Sequence, residues 1–335
     1  MTGRGTAIVG NEKLKRINRR FGTNQTAIRY TAAVLISLWV FAAFFGCSVF
    51  ADEAPLELKI APALDGKMKE GEKFPVKFTI TNRGESVEGY LSVRYAADSS
   101  HDIVVSEKVQ LPEGAAKEIW LTVPGRLYTQ GNNEVVFRKG DPVSGDRVPF
   151  SNGKQSLQLS TVPPQALQIG VFSPDPDAYN FLNLFGQKGY EVHVHLLETD
   201  AFPASLLEQL DVLAINDFAG GSFEEEQLAA IETWVRRGGK LILSGGAGYS
   251  KIGEPFLGWS PVQVTRTESL QSMQTLEEET GEALDASDGI TVAQGELVHC
   301  QARLSEGNLP LFASRELGYG EVWFVAYDVS LEPLA

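Results

Sequence analysis

The sequence predicts a chain of three parts: an apolar N-terminal helix, an all-β sandwich, and an α/β domain built on a parallel sheet. Three observations support this fold class. Twenty-two uncharged residues lie between Arg29 and Asp52. From Leu56 to Thr161 apolar and polar residues alternate with the period of two that is typical of strands. Beyond residues 162–165 the pattern changes to strand, helix, strand, helix, which is the order that builds a parallel sheet.

The apolar segment 30–51 is long enough to cross a membrane, since a helix rises about 1.5 Å per residue and the hydrocarbon core is roughly 30 Å thick. Residues 1–29 are basic, whereas Asp52 and Glu53 follow the segment. This asymmetry predicts a cytoplasmic N-terminus and a bulk outside the cell membrane. Val49 and Ala51 also suit signal cleavage after Ala51, so a transmembrane helix and a signal peptide both stay open, and cleavage would make the protein secreted.

The charge is distributed unevenly along the chain. Residues 1–51 carry seven basic residues against Glu12, so the remaining residues hold a charge of −20 within the total of −14. Most of that acidity follows Thr161. A surface of this sign repels phosphate backbones, and we therefore expect no nucleic-acid partner.

Residues 54–161 predict an immunoglobulin-like (Ig-like) β-sandwich, because about seven short strands separated by turns fill roughly 105 residues. The segment GEKFPVKFTITNRGESVEGYLSVRY resembles the adhesion-type Ig-like modules of bacterial surface proteins, in which the second strand ends in an Asn-x-Gly turn. The resemblance implies a spacer or adhesion role. His101 lies in a polar loop with no nearby His or Cys, which favours a solvated side chain.

Residues 162–165 contain two prolines and predict a stiff linker to the domain at 166–335. Strands are expected at 166–173 and 211–217 and again at KLILS before a glycine-rich turn. Between the last two, Ser222 and Glu225 have the spacing of a capping box, which predicts a helix that begins at Ser222. That helix is expected to end at Gly238-Gly239.

The region 166–330 resembles the class I glutamine amidotransferase-like fold, a flavodoxin-like sheet in which a helix ending in Gly-Gly leads to a central strand and a nucleophile elbow. On that motif Gly246 of Ser244-Gly245-Gly246-Ala247-Gly248 occupies the nucleophile position, and Asp328 lies near the position of the family histidine. The resemblance therefore implies a degenerate domain with no catalytic residue, similar to the noncatalytic amidotransferase-like domains of bacterial membrane proteins.

A ligand site is predicted beyond the carboxyl ends of the strands, where open α/β sheets bind their ligands. The polar and glycine residues expected there are Ser173, Asp175, Asp217, Ser244, Gly245 and Gly246. No cofactor and no metal ion is predicted as a resident group.

Three other groups of residues suggest different chemistries. Carboxylate oxygens are ligands for Mg²⁺ or Ca²⁺, so Asp175 and Asp217 with Ser244 suggest an alternative function, a metal-assisted hydrolase. His193 and His195 share one strand face and could reach one zinc ion, although no third ligand is evident. Cys300 and His299 are neighbours that point to opposite strand faces, which favours an inert thiol.

The leading functional hypothesis is a noncatalytic, membrane-associated protein outside the cytoplasm. It would bind or scaffold a protein partner or a small ligand through the degenerate domain, with the Ig-like module as a spacer. A purely structural element of a membrane complex stays open. The sequence stops at Ala335 directly after its last predicted strand. A fragment that lacks a C-terminal membrane helix is therefore a further hypothesis.

Overall fold

Alternating apolar residues build two antiparallel sheets in the first half of the fold. In a computed structural model the described residues are 54–96, 100–125, 133–189, 191–198 and 202–331. The chain divides into two compact units, Met1–Glu53 and Ala54–Ala335, and all described residues belong to the second. Within it we call residues 54–162 the β1–β9 half and residues 166–331 the β10–β18 half.

The β1–β9 half consists of strands joined mainly by turns. Its three-stranded sheet has the order β1-β3-β6, its four-stranded sheet has the order β5-β4-β7-β8, and β2 pairs with β9 in parallel. Alternate side chains of β3 and β4, such as Phe78 and Leu91, are fully buried in the shared core. The strands are β1 (Leu56–Pro62), β2 (Lys67–Lys69), β3 (Lys73–Asn82), β4 (Val87–Ala96), β5 (Asp102–Leu111), β6 (Ala116–Pro124), β7 (Asn133–Lys139), β8 (Asp146–Val148) and β9 (Ser160–Val162).

The β10–β18 half is built on one seven-stranded sheet, of order β11-β10-β12-β13-β18-β17-β16. The first five strands are parallel, while β17 and β16 are antiparallel to their neighbours, and β14 and β15 form a separate antiparallel pair. The strands are β10 (Leu167–Phe172), β11 (Val192–Leu196), β12 (Val212–Asn216), β13 (Lys240–Ser244), β14 (Val262–Leu270), β15 (Ile290–Leu297), β16 (Ala302–Glu306), β17 (Leu309–Leu317) and β18 (Gly320–Val325).

Helices are short in the described part of the chain, and only one α-helix there exceeds eight residues. The α-helices are α1 (Ala204–Leu207), α2 (Glu225–Arg236), α3 (Tyr249–Phe256) and α4 (Gln274–Thr280). Single 3-10 turns occupy Ala63–Gly66, Gly220–Ser222 and Gly246–Gly248, and a longer 3-10 segment spans Asn180–Lys188. The structure is therefore mainly β.

This composition corrects the predicted fold class. A flavodoxin-like domain carries full-length helices between its parallel strands and on both sheet faces. Here the β10–β11 connection is a 3-10 segment preceded by Pro174 and Pro176, and among the described residues the four-residue α1 is the only helix between β11 and β12. Proline and glycine oppose long helices in such segments. The amidotransferase-like, flavodoxin-like assignment is therefore wrong, and α2 is the one long helix in the expected alternation.

The membrane predictions are also corrected. No helix within the described ranges is long and apolar enough to span a membrane. The predicted signal peptide or transmembrane helix at 30–51, the basic residues 1–29 and the cleavage after Ala51 lie outside the described residues. The predicted location at the cell membrane and outside the cytoplasm is withdrawn, since the described residues form no helix that could span a membrane.

The two halves meet along a polar seam. Lys69 Nζ lies 2.6 Å from Asp211 Oδ1, and the other carboxylate oxygen of Asp211 accepts a hydrogen bond from the Gln168 backbone N–H (2.8 Å). Gln209 is fully buried and accepts from the Lys69 N–H (2.8 Å) while it donates to the Lys73 carbonyl (3.0 Å). The hydrogen bonds of this polar seam connect β2 and the start of β3 to the amino ends of β10 and β12.

Candidate functional site

The carboxyl ends of β12 and β13 lie side by side, and they bring four predicted site residues together. Asn216 is directly opposite Ser244 in the parallel register, and Asp217 donates its N–H to the Ser244 carbonyl (3.1 Å). Gly245 and Gly246 continue from β13. Parallel strands end at one edge of a sheet, so this clustering follows from strand order alone.

Ser244 lies beneath this edge in a buried hydrogen-bond network. Its Oγ donates to Asn216 Oδ1 (2.9 Å) and lies 2.7 Å from the Tyr179 hydroxyl, which is then the donor to Ser244. Burial raises the pKa of Tyr179 well above its usual range, so the phenol stays a neutral donor. Both hydrogen-bonding roles of the Ser244 hydroxyl are therefore taken up inside the protein.

The network continues to the segment after β18. Asn216 Nδ2 donates to Asp328 Oδ1 (2.7 Å), and the same oxygen accepts from the Ser330 N–H (2.9 Å) and hydroxyl (2.6 Å). Asp328, which the sequence places near a histidine position, is thus a hydrogen-bond acceptor for three donors. It holds residues 328–330 against the ends of β12 and β13.

The glycine turn, residues 245–248 between β13 and α3, packs closely against neighbouring backbone and against Asp217. Gly246 has a positive φ of 49°, and a Cβ there would lie 2.8 Å from the Thr291 carbonyl and 3.0 Å from the Asp328 N–H. A Cβ on Gly248 would overlap the Asp217 carboxylate. A side chain is therefore excluded at Gly246 by β15 and the segment after β18, and at Gly248 by Asp217.

Asp217 is a charged group at this edge, and its charge is balanced by a neighbouring lysine. Its carboxylate accepts a hydrogen bond from Lys251 Nζ (2.8 Å), which projects from the first turn of α3. Asp217 has a φ of 45°, a left-handed conformation in which Asp and Asn are enriched. The strained turn aims the carboxylate toward Lys251 and Gly248.

These groups border an open pocket of about 390 Å³. Its wall combines a charge pair, a hydroxyl-bearing side chain, a phenol and glycine backbone; the lining includes Asp217, Gly248, Lys251, Thr291, Tyr327 and Asp328. Burial raises the pKa of Tyr327 to about 12, so it is a neutral hydrogen-bonding group at neutral pH. A neighbouring pocket of about 490 Å³ also reaches Ala247, and it extends along α3 to Arg266 on β14.

Two predicted site residues lie elsewhere. The Ser173 hydroxyl accepts from the Asp175 N–H (3.1 Å), and Asp175 Oδ1 accepts from the Asp177 N–H (2.9 Å). Both side chains thus close the local turn after β10, and neither belongs to the lining of the pocket. Ser244 is likewise beneath the pocket, so of the predicted set only Asp217 and Gly245 contribute to its wall.

The described ranges contain no group of three or more His, Cys, Asp or Glu residues placed to hold a metal ion. The hydrolase set of Asp175, Asp217 and Ser244 is not assembled as a ligand shell, because each residue is occupied by the partners given above. His193 and His195 do share a face, with ring centroids 6.3 Å apart. Their polar contacts are to Lys67, Glu191, Gln168 and Asp65.

Cys300 is partly buried and donates its thiol to the Pro261 carbonyl (3.2 Å). Burial raises its pKa, which keeps the sulfur protonated and unreactive. His299 has a positive φ of 53° and is a neighbour in sequence only. Neither His299 nor Cys300 lies in a strand, since β15 ends at Leu297 and β16 begins at Ala302, so the expectation of opposite strand faces is wrong. The inert thiol stays a prediction.

The sequence did not single out Lys251, Tyr179 or Thr291 as site residues. Lys251 lies in the first turn of α3, directly after the glycine turn. A prediction of α3 from the sequence would have placed Lys251 near Asp217. Thr291 belongs to β15 and reaches the site through tertiary packing alone.

Comparison with known proteins gives limited relationships. Residues 55–151 match a family described as a domain of unknown function, DUF8726. The match in this region is not to an Ig-like family, and the resemblance to adhesion-type Ig-like modules is therefore wrong. No curated protein matches the chain.

Among solved structures, two proteins of Salmonella typhimurium are similar to part of the chain. The cytoplasmic protein STM3548 is 15% identical with a TM-score of 0.37, and the match covers 48% of this chain and 87% of that one. The cytoplasmic protein STM1381 is 14% identical with a TM-score of 0.37, covering 49% and 89%. A β-glucosidase of Listeria innocua is 16% identical with a TM-score of 0.22 over 32% of this chain and 16% of that one.

Proposed function

We propose that this protein is a noncatalytic binding module, and that it takes a small polar ligand in the pocket between the glycine turn, the Asp217–Lys251 pair and β15. The observation that supports the proposal most directly is the composition of the wall. It offers one cation, two carboxylates, hydroxyl groups and glycine backbone around one opening of about 390 Å³. Pockets that recognise small molecules place a few polar groups in this way.

The chemistry of the same residues favours binding over turnover. A nucleophile needs a base within hydrogen-bond reach and an exposed attacking atom. Ser244 is fully buried and bonded to Tyr179 and Asn216, neither of which is a base at neutral pH. Gly246, which occupies the nucleophile position of the motif in the sequence, has no side chain.

The Asp217–Lys251 pair gives the ligand a defined polarity. The pair is partly exposed, with 26% of the Asp217 side chain and 57% of the Lys251 side chain accessible. A ligand that carries both a hydrogen-bond donor and an acceptor can bind both members of the pair without leaving either charge unpaired. Amino acids and hydroxy acids are ligands of this type.

The test is a thermal-shift screen of the full chain against amino acids, hydroxy acids, monosaccharides and nucleosides, because binding to the native state raises its melting temperature. We expect a shift with compounds that carry both donor and acceptor groups. The shift is expected to disappear in Lys251→Met and in Asp217→Asn.

Lys240→Met is the matched control, because Lys240 is exposed at the opposite end of β13. It should bind like the unaltered protein. A shift that survives both pocket variants would place the site elsewhere. Conversion of the bound compound, followed by mass spectrometry, would overturn the noncatalytic part of the proposal.

A further inference from the structure

A separate pocket of about 230 Å³ lies where the β1–β9 half meets β11 and α1. One part of its wall is apolar and aromatic, formed by Trp120, Phe202 and Leu206. The other part is polar and includes Asp65, His195 and Glu198. It shares no residue with the pocket at the glycine turn.

The hydrogen bonds of Gln168 determine the tautomer of His195. Gln168 Nε2 donates to the Lys67 carbonyl (3.2 Å), so its Oε1 is the atom that faces His195 Nε2 at 3.0 Å. An amide oxygen only accepts, and His195 Nε2 therefore carries the proton. In the neutral ring the other nitrogen, Nδ1, is then a hydrogen-bond acceptor.

That acceptor faces a second acceptor. Asp65 Oδ2 lies 3.4 Å from His195 Nδ1, and both residues line the pocket. The imidazole is almost fully enclosed (3% exposed), whereas 85% of the Asp65 side chain is accessible. A nitrogen lone pair and a carboxylate oxygen that converge in this way are satisfied together by a ligand with at least two N–H donors.

The surrounding charges favour a cation. Lys67 Nζ lies 3.0 Å from His193 Nδ1, and His193 in turn contacts Glu191 (2.8 Å), so Lys67 is engaged beside the pocket. Lys77, which lines the pocket, is paired with Glu118 at 3.0 Å. Two carboxylates, Asp65 and Glu198, therefore set the charge of the polar wall, and the aromatic side chains add a favourable surface for a cation.

We propose that this pocket binds a small organic cation with N–H donors, either an alkyl amine or an alkyl guanidine. The cationic group donates to Asp65 Oδ2 and to His195 Nδ1, and the alkyl chain lies against Trp120, Phe202 and Leu206. A quaternary ammonium ion carries the same charge but has no donor, and it is expected to bind poorly. The pocket is therefore expected to select its ligand by N–H donors as well as by positive charge.

The test is isothermal titration of the full-length protein with agmatine, which carries both a guanidinium and a primary ammonium group, and with tetramethylammonium. We expect agmatine to bind and tetramethylammonium to bind at least tenfold more weakly. Asp65→Asn should weaken the binding of agmatine by about tenfold or more, since a charge-assisted hydrogen bond is lost. Asn tolerates the left-handed φ of 53° at this position, so the variant should fold.

Asp288→Asn is the control for charge, because Asp288 is exposed in the β10–β18 half. It should leave agmatine binding unchanged. Acidification should weaken binding, since a proton on His195 Nδ1 removes the acceptor and repels the cation. Equal affinity for the two cations, or unchanged agmatine binding in Asp65→Asn, would overturn the proposal, as would the absence of agmatine binding at millimolar concentration.

Discussion

At the scale of single residues, Ser244 acts as a junction in the interior. It links Tyr179 to Asn216, and through Asn216 it is connected to Asp328 and the segment after β18. Removing a hydroxyl from a buried network leaves each former partner with one hydrogen bond fewer and no water to replace it. Ser244, one of the predicted site residues, is therefore expected to stabilise the folded state.

We predict that Ser244→Ala lowers the free energy of unfolding by about 1 to 3 kcal/mol. Tyr179→Phe should also be destabilising, and the double variant should lose less than the sum of the two, because both changes break the same bond. Urea unfolding of the four proteins measures this. Strict additivity would contradict the network.

Ser92 offers a matched control for that experiment. It is fully buried in β4, and its Oγ has no hydrogen-bond partner among the described residues. Ser92→Ala removes an unsatisfied group, so the variant should be as stable as the unaltered protein or slightly more stable. A loss comparable to that of Ser244→Ala would mean that volume, not bonding, dominates both changes.

His195 predicts a pH dependence of stability. Burial lowers its pKa below the ordinary value of 6.5, an effect that Lys67 and His193 reinforce and the Asp65 carboxylate opposes. The unfolded chain therefore binds a proton at a higher pH than the folded one. The contribution is fully present above pH 6.5 and is lost progressively as the pH falls toward the folded-state pKa.

Urea unfolding at pH 7.5 and pH 5.5 should therefore show a smaller decrease in stability for His195→Gln than for the unaltered protein. His101→Gln is the control, because His101 is exposed, and it should retain the full decrease. Identical pH dependence in all three proteins would show that His195 contributes nothing to it.

At the scale of elements, the glycine turn between β13 and α3 depends on the absence of a Cβ at Gly246 and Gly248. We predict that Gly246→Ala destabilises the protein by about 2 kcal/mol or more, because a left-handed non-glycine residue costs about 1 kcal/mol and the new Cβ also presses on the Thr291 carbonyl. Gly114→Ala isolates the first effect, since its φ is 72° and nothing lies near its Cβ. Thermal unfolding should rank Gly246→Ala as the more damaging; the reverse order would contradict the close approach.

The start of α2 shows why local patterns give element positions only approximately. The sequence predicts a capping box from Ser222 and Glu225, but the box is formed by Glu224 and Gln227, and the helix begins at Glu225. Ser222 instead closes the 3-10 turn, where its N–H donates to the Ala219 carbonyl (2.9 Å). The 3-10 turn Gly220–Ser222 includes the predicted cap, and the observed N-cap lies two residues further along the chain at Glu224.

The same distinction applies to the site. Asp217 and Ser244 were placed together because parallel strands end at one edge, which depends only on strand order. Ser173 and Asp175 also follow a strand, but their side chains are used in a local turn. Lys251 and Thr291 were missed because the packing of α3 and β15 brings them to the edge.

At the scale of the whole molecule, the fold class was wrong although individual strands were foreseen. The strand predicted at 211–217 is observed as Val212–Asn216, and the strand KLILS is β13. A short apolar run identifies a strand without specifying what connects it to the next. The assignment failed at the connections, where prolines and short turns replaced helices.

The polar seam between the two halves predicts their mutual dependence. Asp211→Ala removes the bonds to Lys69 and Gln168 at once. We expect a loss of about 1 to 3 kcal/mol and a broader calorimetric transition, as the halves begin to unfold separately. Asp102→Ala, which breaks the exposed pair with Arg94, should cost less than about 1 kcal/mol. A sharp single transition in Asp211→Ala would argue against the seam as the coupling element.

The pairing of β13 with β18 also has a consequence for how the chain is made. Leu241 lies beside Val322 at the centre of the sheet, yet a ribosome synthesises β13 long before β18. One side of β13 therefore stays unpaired until β18 has been synthesised. A nascent chain halted before Gly320 should expose this unpaired strand edge, which is prone to aggregation and which a chaperone can recognise.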